Sequence, residues 1–214
     1  MSSVPKSSEI TAQQTACRTG AFTRVFDFVC SLVGLVGLAP LFGLIALAVK
    51  VGDGGPVFYS QDRVGRNFRL FRLYKFRTMI AGADRHGLLT APLDSRLTGV
   101  GRLLRRYKLD EFPQLFNVLK GDMQLVGPRP EVERYVQMFR PQYAIILQDR
   151  PGITDPASLA YRHEDRILLP DRLEQQYVSE VLPAKLALSL DYQQQRSFLS
   201  DLTILLRTAF SVPE

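Results

Sequence analysis

An acidic pair, Asp110-Glu111, lies within the stretch KLDEFPQLFNVLKGDMQLVGPRPE and follows a run of basic residues. The pattern PQLFNVLKG predicts a helix that begins near Pro113 and stops at Gly121. Carboxylates at such a helix start can be N-terminal acids, stabilised by free N–H groups and the helix dipole. The same positive end can hold a carboxylate ionised for chemistry. Both interpretations of Asp110 and Glu111 are therefore open at this point.

Basic residues that could bind phosphate accompany this pair. Lys75 and Arg77 flank Phe76 in a predicted strand, so their side chains point to the same face. The segment Pro128-Arg129-Pro130 presents one guanidinium on a stiff backbone, which suits bidentate contact with phosphate. A hard cation such as Mg²⁺, bound by the acidic pair and by substrate phosphate, would complete such a site.

Composition and charge limit the kinds of partner and site that are expected. The 214 residues carry a net charge of +6, with 46% hydrophobic residues and a pI near 9.5. This balance predicts an anionic partner: a nucleic acid, a phospholipid surface or a phosphorylated small molecule. Cys17 and Cys30 form neither a disulfide framework nor a metal-ligand spacing, and His86 and His163 are isolated. A histidine-rich transition-metal site is therefore not expected.

An uncharged stretch, FVCSLVGLVGLAPLFGLIALAV, runs from Phe28 to Val49. As a helix it would reach roughly 33 Å, enough to cross the core of a bilayer. The long polar lead and the lack of a cleavage site argue against a secretory signal peptide. Three glycines and a proline argue against the alternative, a buried helix of a soluble protein. The polar residues 1–20 before it predict a disordered tail.

Pro40, near the middle of the apolar stretch, predicts a break of the helix at Ala39-Pro40. Basic residues lie on both flanks, so the positive-inside rule favours the cytoplasm for both ends. A helix over residues 21–50 that bends at the proline and re-enters the same leaflet satisfies this rule. A kinked span that crosses the bilayer is the alternative. In either case residues 51–214 form a cytoplasmic domain.

The segments that follow predict elements around the acidic pair. PVFYSQDRV and FRLFRLYKFRTM predict a β-hairpin with its turn at Gly65-Arg66-Asn67, and most of its arginines suit a solvated or lipid-facing surface. LTGVGRLLRRYKL places Val100, Leu103, Leu104 and Tyr107 on one apolar helical face. Such a basic helix suits the rim of a phosphate site or a membrane surface. SFLSDLTILLRTAF predicts a helix that belongs to the core or lies on a surface.

Several motifs in a fixed order resemble the bacterial sugar transferases, the monotopic phosphoglycosyl transferases that start glycan assembly on a polyprenyl phosphate. They are the apolar segment with its central proline, QDRVG, YKFRTM, DSRLTGVGRLLRRYKLDEFPQLFNVLKGDMQLVGPRPE and RPGIT. The resemblance covers about residues 24–205, and the chain looks like the minimal catalytic form. It implies a helix-rich α+β monotopic membrane protein: a re-entrant membrane helix, a short β-hairpin and amphipathic surface helices around a cytoplasmic catalytic domain.

The resemblance also implies a mechanism. Asp110 would attack the β-phosphorus of a UDP-sugar, expel UMP and form a sugar-phosphoryl aspartate, from which undecaprenyl phosphate takes the sugar phosphate. Glu111 would be a metal ligand or a base, and Mg²⁺ would bind Asp110 and Glu111. Lys75, Arg77 and Arg129 would bind phosphate. The protein would contact the lipids of the bacterial inner membrane, face the cytoplasm, and start exopolysaccharide, capsule, O-antigen or glycoprotein synthesis.

One loop departs from the family pattern. After RPGIT many relatives have a glycine and a short aromatic-Ala-Gln sequence, whereas this chain continues DPASLAYRHED and contains no tryptophan. Asp155, Tyr161, Arg162 and His163 could shape sugar recognition or be ordinary polar residues of a loop. The sugar, the glycan pathway, and the choice between monomer and homodimer do not follow from the sequence.

Three other functions fit part of the pattern. A membrane-anchored nucleic-acid-binding module would explain the positive charge and predicts salt-sensitive binding. A non-enzymatic membrane scaffold would explain the apolar segment. Both leave the Asp110-Glu111 block without a task, so we expect no nucleic-acid partner. A phosphohydrolase, in which water attacks the aspartyl phosphate, is the nearest enzymatic alternative and needs no lipid acceptor.

Overall fold

The structure, a computed structural model, describes residues 20–83, 89, 94–169 and 171–210. The predicted disordered tail, apart from Gly20, lies outside these residues, as do Cys17 and His86. The helices and strands are, in chain order, α1 (Ala21–Gly37), α2 (Ala39–Asp53), β1 (Phe58–Val64), β2 (Leu70–Phe76), α3 (Gly99–Arg106), α4 (Gln114–Lys120), β3 (Gln124–Val126), α5 (Glu133–Met138), α6 (Arg140–Ile146), β4 (Gly152–Thr154), α7 (Pro156–Ala160), α8 (Glu164–Ile167), α9 (Leu173–Gln176), α10 (Leu182–Gln195) and α11 (Phe198–Phe210).

These elements form a helix-rich α+β fold with small sheets, which confirms the predicted class. Strands β1 and β2 pair antiparallel, and β3 and β4 pair parallel. A π-helical turn, Tyr177–Val181, joins α9 to α10. The parallel pair and the π turn were not predicted.

Helices α1 and α2 meet at Leu38, where the direction of the chain changes by 60°. Pro40 lies in the first turn of α2, where its missing N–H is tolerated and its fixed φ suits a helix start. The predicted break at Ala39-Pro40 is therefore confirmed. In the described part of the chain no helix by itself has the length and apolar composition of a membrane span, while the bent pair taken together does.

The hairpin forms as predicted, with shorter strands. Tyr59 pairs with Lys75, and Arg63 with Phe71. The chain reverses through a 3₁₀ turn, Arg66–Phe68, in which two residues have positive φ angles. Because side chains alternate along a strand, one face of the hairpin carries Tyr59, Arg63 and Lys75.

Helix α3 does not have the single apolar face that the sequence predicted. Val100 and Leu104 pack inward, but Leu103 and Tyr107 are exposed. The reason lies at Gly101, because a Cβ there would lie 2.6 Å from the carbonyl carbon of Thr78. This close approach turns the Gly101 side of the helix inward and leaves Leu103 outside. The helix also ends at Arg106, one residue before Tyr107.

Helix α4 follows the acidic pair and stops at Gly121, which has a φ of 87°, as predicted. Its last carbonyl groups accept hydrogen bonds from distant arginines. Arg24 of α1 donates to the oxygens of Val118 at 2.7 Å and Leu119 at 3.1 Å. Arg150 donates to the oxygen of Gly121 at 2.8 Å. The first helix is thus fixed to the helix behind the acidic pair.

A compact apolar cluster supports the same region from the other side. Ile45 and Val49 of α2 pack with Phe76 of β2 and Leu104 of α3. At the far end of the chain, Ile204 of α11 is buried in another cluster. The outer side of α11 is exposed and apolar, so this helix belongs to the core on one side and lies on the surface on the other.

Candidate active site

Asp110 and Glu111 lie in a 3₁₀ turn, Leu109–Glu111, between α3 and α4. Lys108 before it has a φ of 55°, so the chain leaves α3 through a left-handed residue. The N-cap position of α4 is Pro113, and no side chain caps the helix. The pair therefore lies just before the helix, as predicted, but does not cap it. The interpretation of these acids as mere helix starters loses its main support.

Glu111 joins two of the predicted phosphate-binding residues. Its Oε1 accepts from Lys75 Nζ at 2.9 Å and from Arg129 Nη2 at 2.5 Å, and its Oε2 accepts from Arg129 Nη1 at 3.2 Å. Burial raises the pKa of Glu111, but the charges of Arg129 and Lys75 outweigh it and hold the pKa well below its usual range. Glu111 is therefore a permanent anion at neutral pH.

Asp110 has the opposite electrostatic balance. Burial raises its pKa, Lys75 lowers it and Glu111 raises it again, and the net shift is upward. The residue is 5% exposed, and its buried Oδ1 has no hydrogen-bond partner. Buried polar atoms without partners are rare in folded proteins and call for an explanation. Service as a nucleophile or a metal ligand would provide one.

Asp110 lines a cavity of about 250 Å³ together with Tyr59, Arg63 and Lys75 of the hairpin face described above. Lys75 and Arg77 line it together, so the structure brings both predicted cations to one place. Residues 79–83 also line this cavity. Several cations around one carboxylate suit a polyanionic substrate such as a diphosphate.

Arg105 also lines this cavity and was not among the predicted site residues. Its Nε donates to Thr78 Oγ1 at 3.1 Å. Five residues before Asp110 on a basic helix, it could have been found by treating α3 as the rim of a phosphate site. The sequence alone did not separate it from the neighbouring arginines.

Arg77 is 6% exposed and forms an ion pair with Asp53, the last residue of α2. Its Nε and Nη1 are buried without hydrogen-bond partners. The sequence did not indicate Asp53, which is separated from Arg77 by both strands of the hairpin and by its turn.

The segment that carries Arg129 is anchored at Glu131, two residues further along the chain. Arg63 Nη1 donates to Glu131 Oε1 at 2.7 Å, and the hydroxyl of Tyr177 donates to Oε2 at 2.7 Å. The Val64 N–H also donates to the Glu131 carbonyl at 2.9 Å. The assignment of the hairpin arginines to a solvated or lipid-facing surface is thus wrong for Arg63, because the carboxylate of Glu131 draws it inward. Arg63, Glu131 and Tyr177 were missed.

Asp155, the first residue of the divergent loop, stabilises the local structure. Asp155 is 1% exposed and caps α7 by accepting from the Ser158 N–H at 2.7 Å. It also accepts from the Ser189 hydroxyl at 2.8 Å, which ties the loop to α10. Tyr161, Arg162 and His163 are partly buried and do not belong to the described lining of the large cavity. For Asp155 the geometry favours the structural interpretation.

The donor set of the acidic pair fits Mg²⁺. No group of three His, Cys, Asp or Glu side chains that could hold a metal occurs among the described residues. Mg²⁺ is commonly bound by one or two carboxylates, with substrate phosphates and water as the other ligands. Oδ1 of Asp110 has no partner, and Oε2 of Glu111 accepts from Arg129 alone. Each oxygen retains a lone pair for a cation.

The chain is similar to known proteins. The family model described as bacterial sugar transferase matches residues 18–214. The exopolysaccharide production protein ExoY of Sinorhizobium fredii is 34% identical over 205 residues, which is 88% of this chain and 84% of that protein. The UDP-glucose:undecaprenyl-phosphate glucose-1-phosphate transferase of Caulobacter vibrioides is 37% identical over 193 residues, covering 88% of this chain and 68% of the relative.

A third relative matches a smaller part. The undecaprenyl-phosphate galactose phosphotransferase of Salmonella typhimurium is 43% identical over 148 residues, which is 61% of this chain and 31% of that protein. The family model covers nearly all of the chain, and these names confirm the prediction of a sugar-phosphate transferase. The chain belongs to the bacterial sugar transferase family.

Proposed function

We propose that the chain transfers a sugar phosphate from a UDP-sugar to undecaprenyl phosphate, releases UMP and so starts the assembly of a glycan such as an exopolysaccharide. One observation carries the proposal. Asp110, whose buried Oδ1 has no hydrogen-bond partner, lines a cavity together with Lys75, Arg77 and Arg105. The names of the Caulobacter and Salmonella relatives support the lipid acceptor, and the former supports a UDP-linked donor.

The reaction has two displacements at one phosphorus. A carboxylate oxygen of Asp110 attacks the β-phosphorus of the donor, an O–P bond forms, and UMP leaves with the electrons of the broken P–O bond. A phosphate oxygen of the lipid then attacks the same phosphorus, and the aspartyl O–P bond breaks to restore the carboxylate. Lys75, Arg77 and Arg105 stabilise the negative charge that gathers in both steps.

Glu111 supports this chemistry without being the base. Its lowered pKa makes it a weak proton acceptor, so a metal-ligand role is favoured over a base. Its contacts with Lys75 and Arg129 also hold both cations at the acidic pair. Mg²⁺, held by Asp110 and Glu111, would neutralise charge where donor and acceptor phosphates meet.

The bent helix pair supports the proposed membrane placement. Phe22, Val33, Leu47 and Val51 of α1 and α2 are exposed apolar side chains, although both helices also pack against residues 51–214. Immersion of these faces in the cytoplasmic leaflet of the inner membrane would cover them. The pair, within residues 21–50, then re-enters the same leaflet, and residues 51–214 form the catalytic domain on the cytoplasmic face.

A labelling experiment separates re-entry from a kinked span. Single cysteines at positions 20 and 62, on a chain whose native cysteines are replaced by serine, would be treated with a membrane-impermeant maleimide. Re-entry predicts labelling of both positions in inside-out vesicles and of neither in spheroplasts. A span predicts that one of the two is labelled in spheroplasts.

The activity itself is tested with protein in nanodiscs, Mg²⁺, a panel of UDP-sugars and undecaprenyl phosphate, by measuring UMP. We expect lipid-dependent transfer with at least one sugar, and loss of UMP release in Asp110→Asn. Release that persists in Asp110→Asn would retire the aspartyl intermediate. Release of free sugar phosphate without the lipid would support the phosphohydrolase instead.

A further inference from the structure

The chain reverses sharply where α2 ends, beside the large cavity. After Asp53, Gly54 adopts a φ of 73°, and its carbonyl accepts from Lys50 Nζ at 2.8 Å. The next residue, Gly55, lies against the guanidinium of Arg77. A Cβ at Gly55 would lie 2.7 Å from Cζ and 2.8 Å from Nη2 of Arg77. A side chain larger than hydrogen would therefore displace this guanidinium.

The contacts on Arg77 come from the end of the apolar helix pair. Asp53 Oδ1 accepts from Nη2, and the Arg77 N–H donates to the Val57 carbonyl at 2.9 Å. Arg77 also lines the cavity with Asp110. Its remaining Nε and Nη1 have no partner. Leaving buried donors of a charged group unpaired is costly, so an anion that supplies acceptors there is favoured.

We propose that Asp53 and Gly55 are positioning residues that hold Arg77 for the diphosphate of the donor. The carboxylate of Asp53 fixes one nitrogen of the Arg77 guanidinium. Gly55, which has no side chain, leaves the space that the guanidinium occupies. Because both residues belong to the exit from α2, the depth and tilt of the helix pair set the place of a phosphate-binding cation. This inference rests on the proposed function. It identifies the exit from α2 as the segment that positions a cation at the donor site.

The test is a double-mutant cycle on Asp53→Ala and Arg77→Gln in nanodiscs. It measures kcat and KM for the UDP-sugar, and the Kd of UDP by calorimetry. We expect each single variant to raise KM and Kd about tenfold, the loss typical of one hydrogen bond to a charged group. Asp53→Ala should change kcat little, whereas Arg77→Gln should also lower kcat, because Arg77 stabilises the charge that gathers during the reaction. The double variant is expected to resemble Arg77→Gln alone, because Asp53 acts through Arg77.

Matched controls separate positioning from folding. Asp62→Ala removes an exposed aspartate that also pairs with an arginine, and is expected to leave KM unchanged. Gly55→Ala is expected to raise KM with an unchanged melting temperature, since the atoms it meets are the end of a flexible side chain. Gly43→Ala, in α2 with nothing within 4 Å of an added Cβ, is expected to leave KM unchanged.

The outcomes are distinguishable. An active wild type whose KM and Kd are unchanged by Asp53→Ala and Gly55→Ala would overturn the positioning role alone. The positioning role would also be overturned if the fold-increases in KM of the two single variants multiply in the double variant. A wild type that neither binds UDP nor releases UMP would overturn the proposed function, and this inference with it.

Discussion

Two clusters of buried charged residues differ in whether a neighbouring carboxylate lines a cavity. Around Glu111, the partners are Lys75 and Arg129. At the start of α11, Arg196 Nη2 donates to Asp201 Oδ2 at 2.8 Å and to the Val126 carbonyl at 2.9 Å. Each cluster pairs an arginine with a carboxylate, and the second is the more buried.

The difference lies in the neighbour of each cluster. Beside Glu111 stands Asp110, with an unpaired oxygen, on the wall of a large cavity. Arg196 instead donates to Asp201 and to a strand carbonyl, and it pairs with Asp149 at 3.7 Å. Asp149 Oδ2 is also buried without a hydrogen bond, but Arg196, Asp201 and Asp149 do not belong to the described lining of that cavity. Burial of charge alone therefore does not mark a site. An unsatisfied acceptor at a cavity does.

The largest contrast is expected between stability and activity. Arg196→Met leaves Asp201 buried without its cation and should lower the free energy of unfolding by about 3–5 kcal/mol, with UMP release per folded molecule unchanged. Asp110→Asn should abolish UMP release without lowering the free energy of unfolding. The substitution removes a buried carboxylate whose pKa is raised, which is a charge that the folded state disfavours. Denaturation in detergent micelles and the UMP assay measure the two effects.

Arg172→Met, at an exposed arginine, is the control and should change neither quantity. Loss of UMP release in Arg196→Met protein that is still folded would break the comparison.

A second prediction concerns pH. Burial raises the pKa of Asp110, and Lys75 is the strongest influence that lowers it. Lys75→Gln removes that influence, so the pKa of Asp110 rises further. Since the proposed reaction needs the carboxylate, the acid limb of the kcat/KM profile should move to higher pH. Lys120→Gln, at an exposed lysine beside Asp122, should leave the limb in place. A limb that stays fixed in Lys75→Gln would mean that Asp110 does not titrate in it.

The smallest effect is expected at the divergent loop. Asp155→Ala removes the cap of α7 and should lower the free energy of unfolding by about 0.5–2 kcal/mol. Asp155→Ser, which keeps a capping oxygen, should restore part of it. The ranking of UDP-sugars in the UMP assay should not change in either variant. A changed ranking would favour the sugar-recognition alternative for this loop.

Local chemistry made part of the fold predictable. Pro40 lacks an N–H, so the helix break was visible in the sequence. The stop at Gly121 and the turn at Gly65-Arg66-Asn67 follow from residues that tolerate or favour such backbone. Strands β3 and β4 have three residues each, too few for an alternating pattern.

The candidate site was predictable only as a set of residue types. The sequence indicated Lys75, Glu111 and Arg129, but not that Glu111 bonds to both cations across 36 and 18 residues. Asp53 and Arg63 were not identified, because each acquires its role only from a partner brought close by tertiary packing. Spacing along the chain carries no information about such pairs.

The capping of α4 has a consequence for the order of assembly. A seven-residue helix is too short to persist alone in water. Its carbonyls are satisfied by Arg24, which is synthesised long before it, and by Arg150, which is synthesised after it. We therefore expect the turn that carries Asp110 to become rigid only after the leading helix has packed against α4 and the later segment has emerged. Under the proposed function, a nascent chain still short of that point would hold the Asp110 carboxylate out of place and inactive.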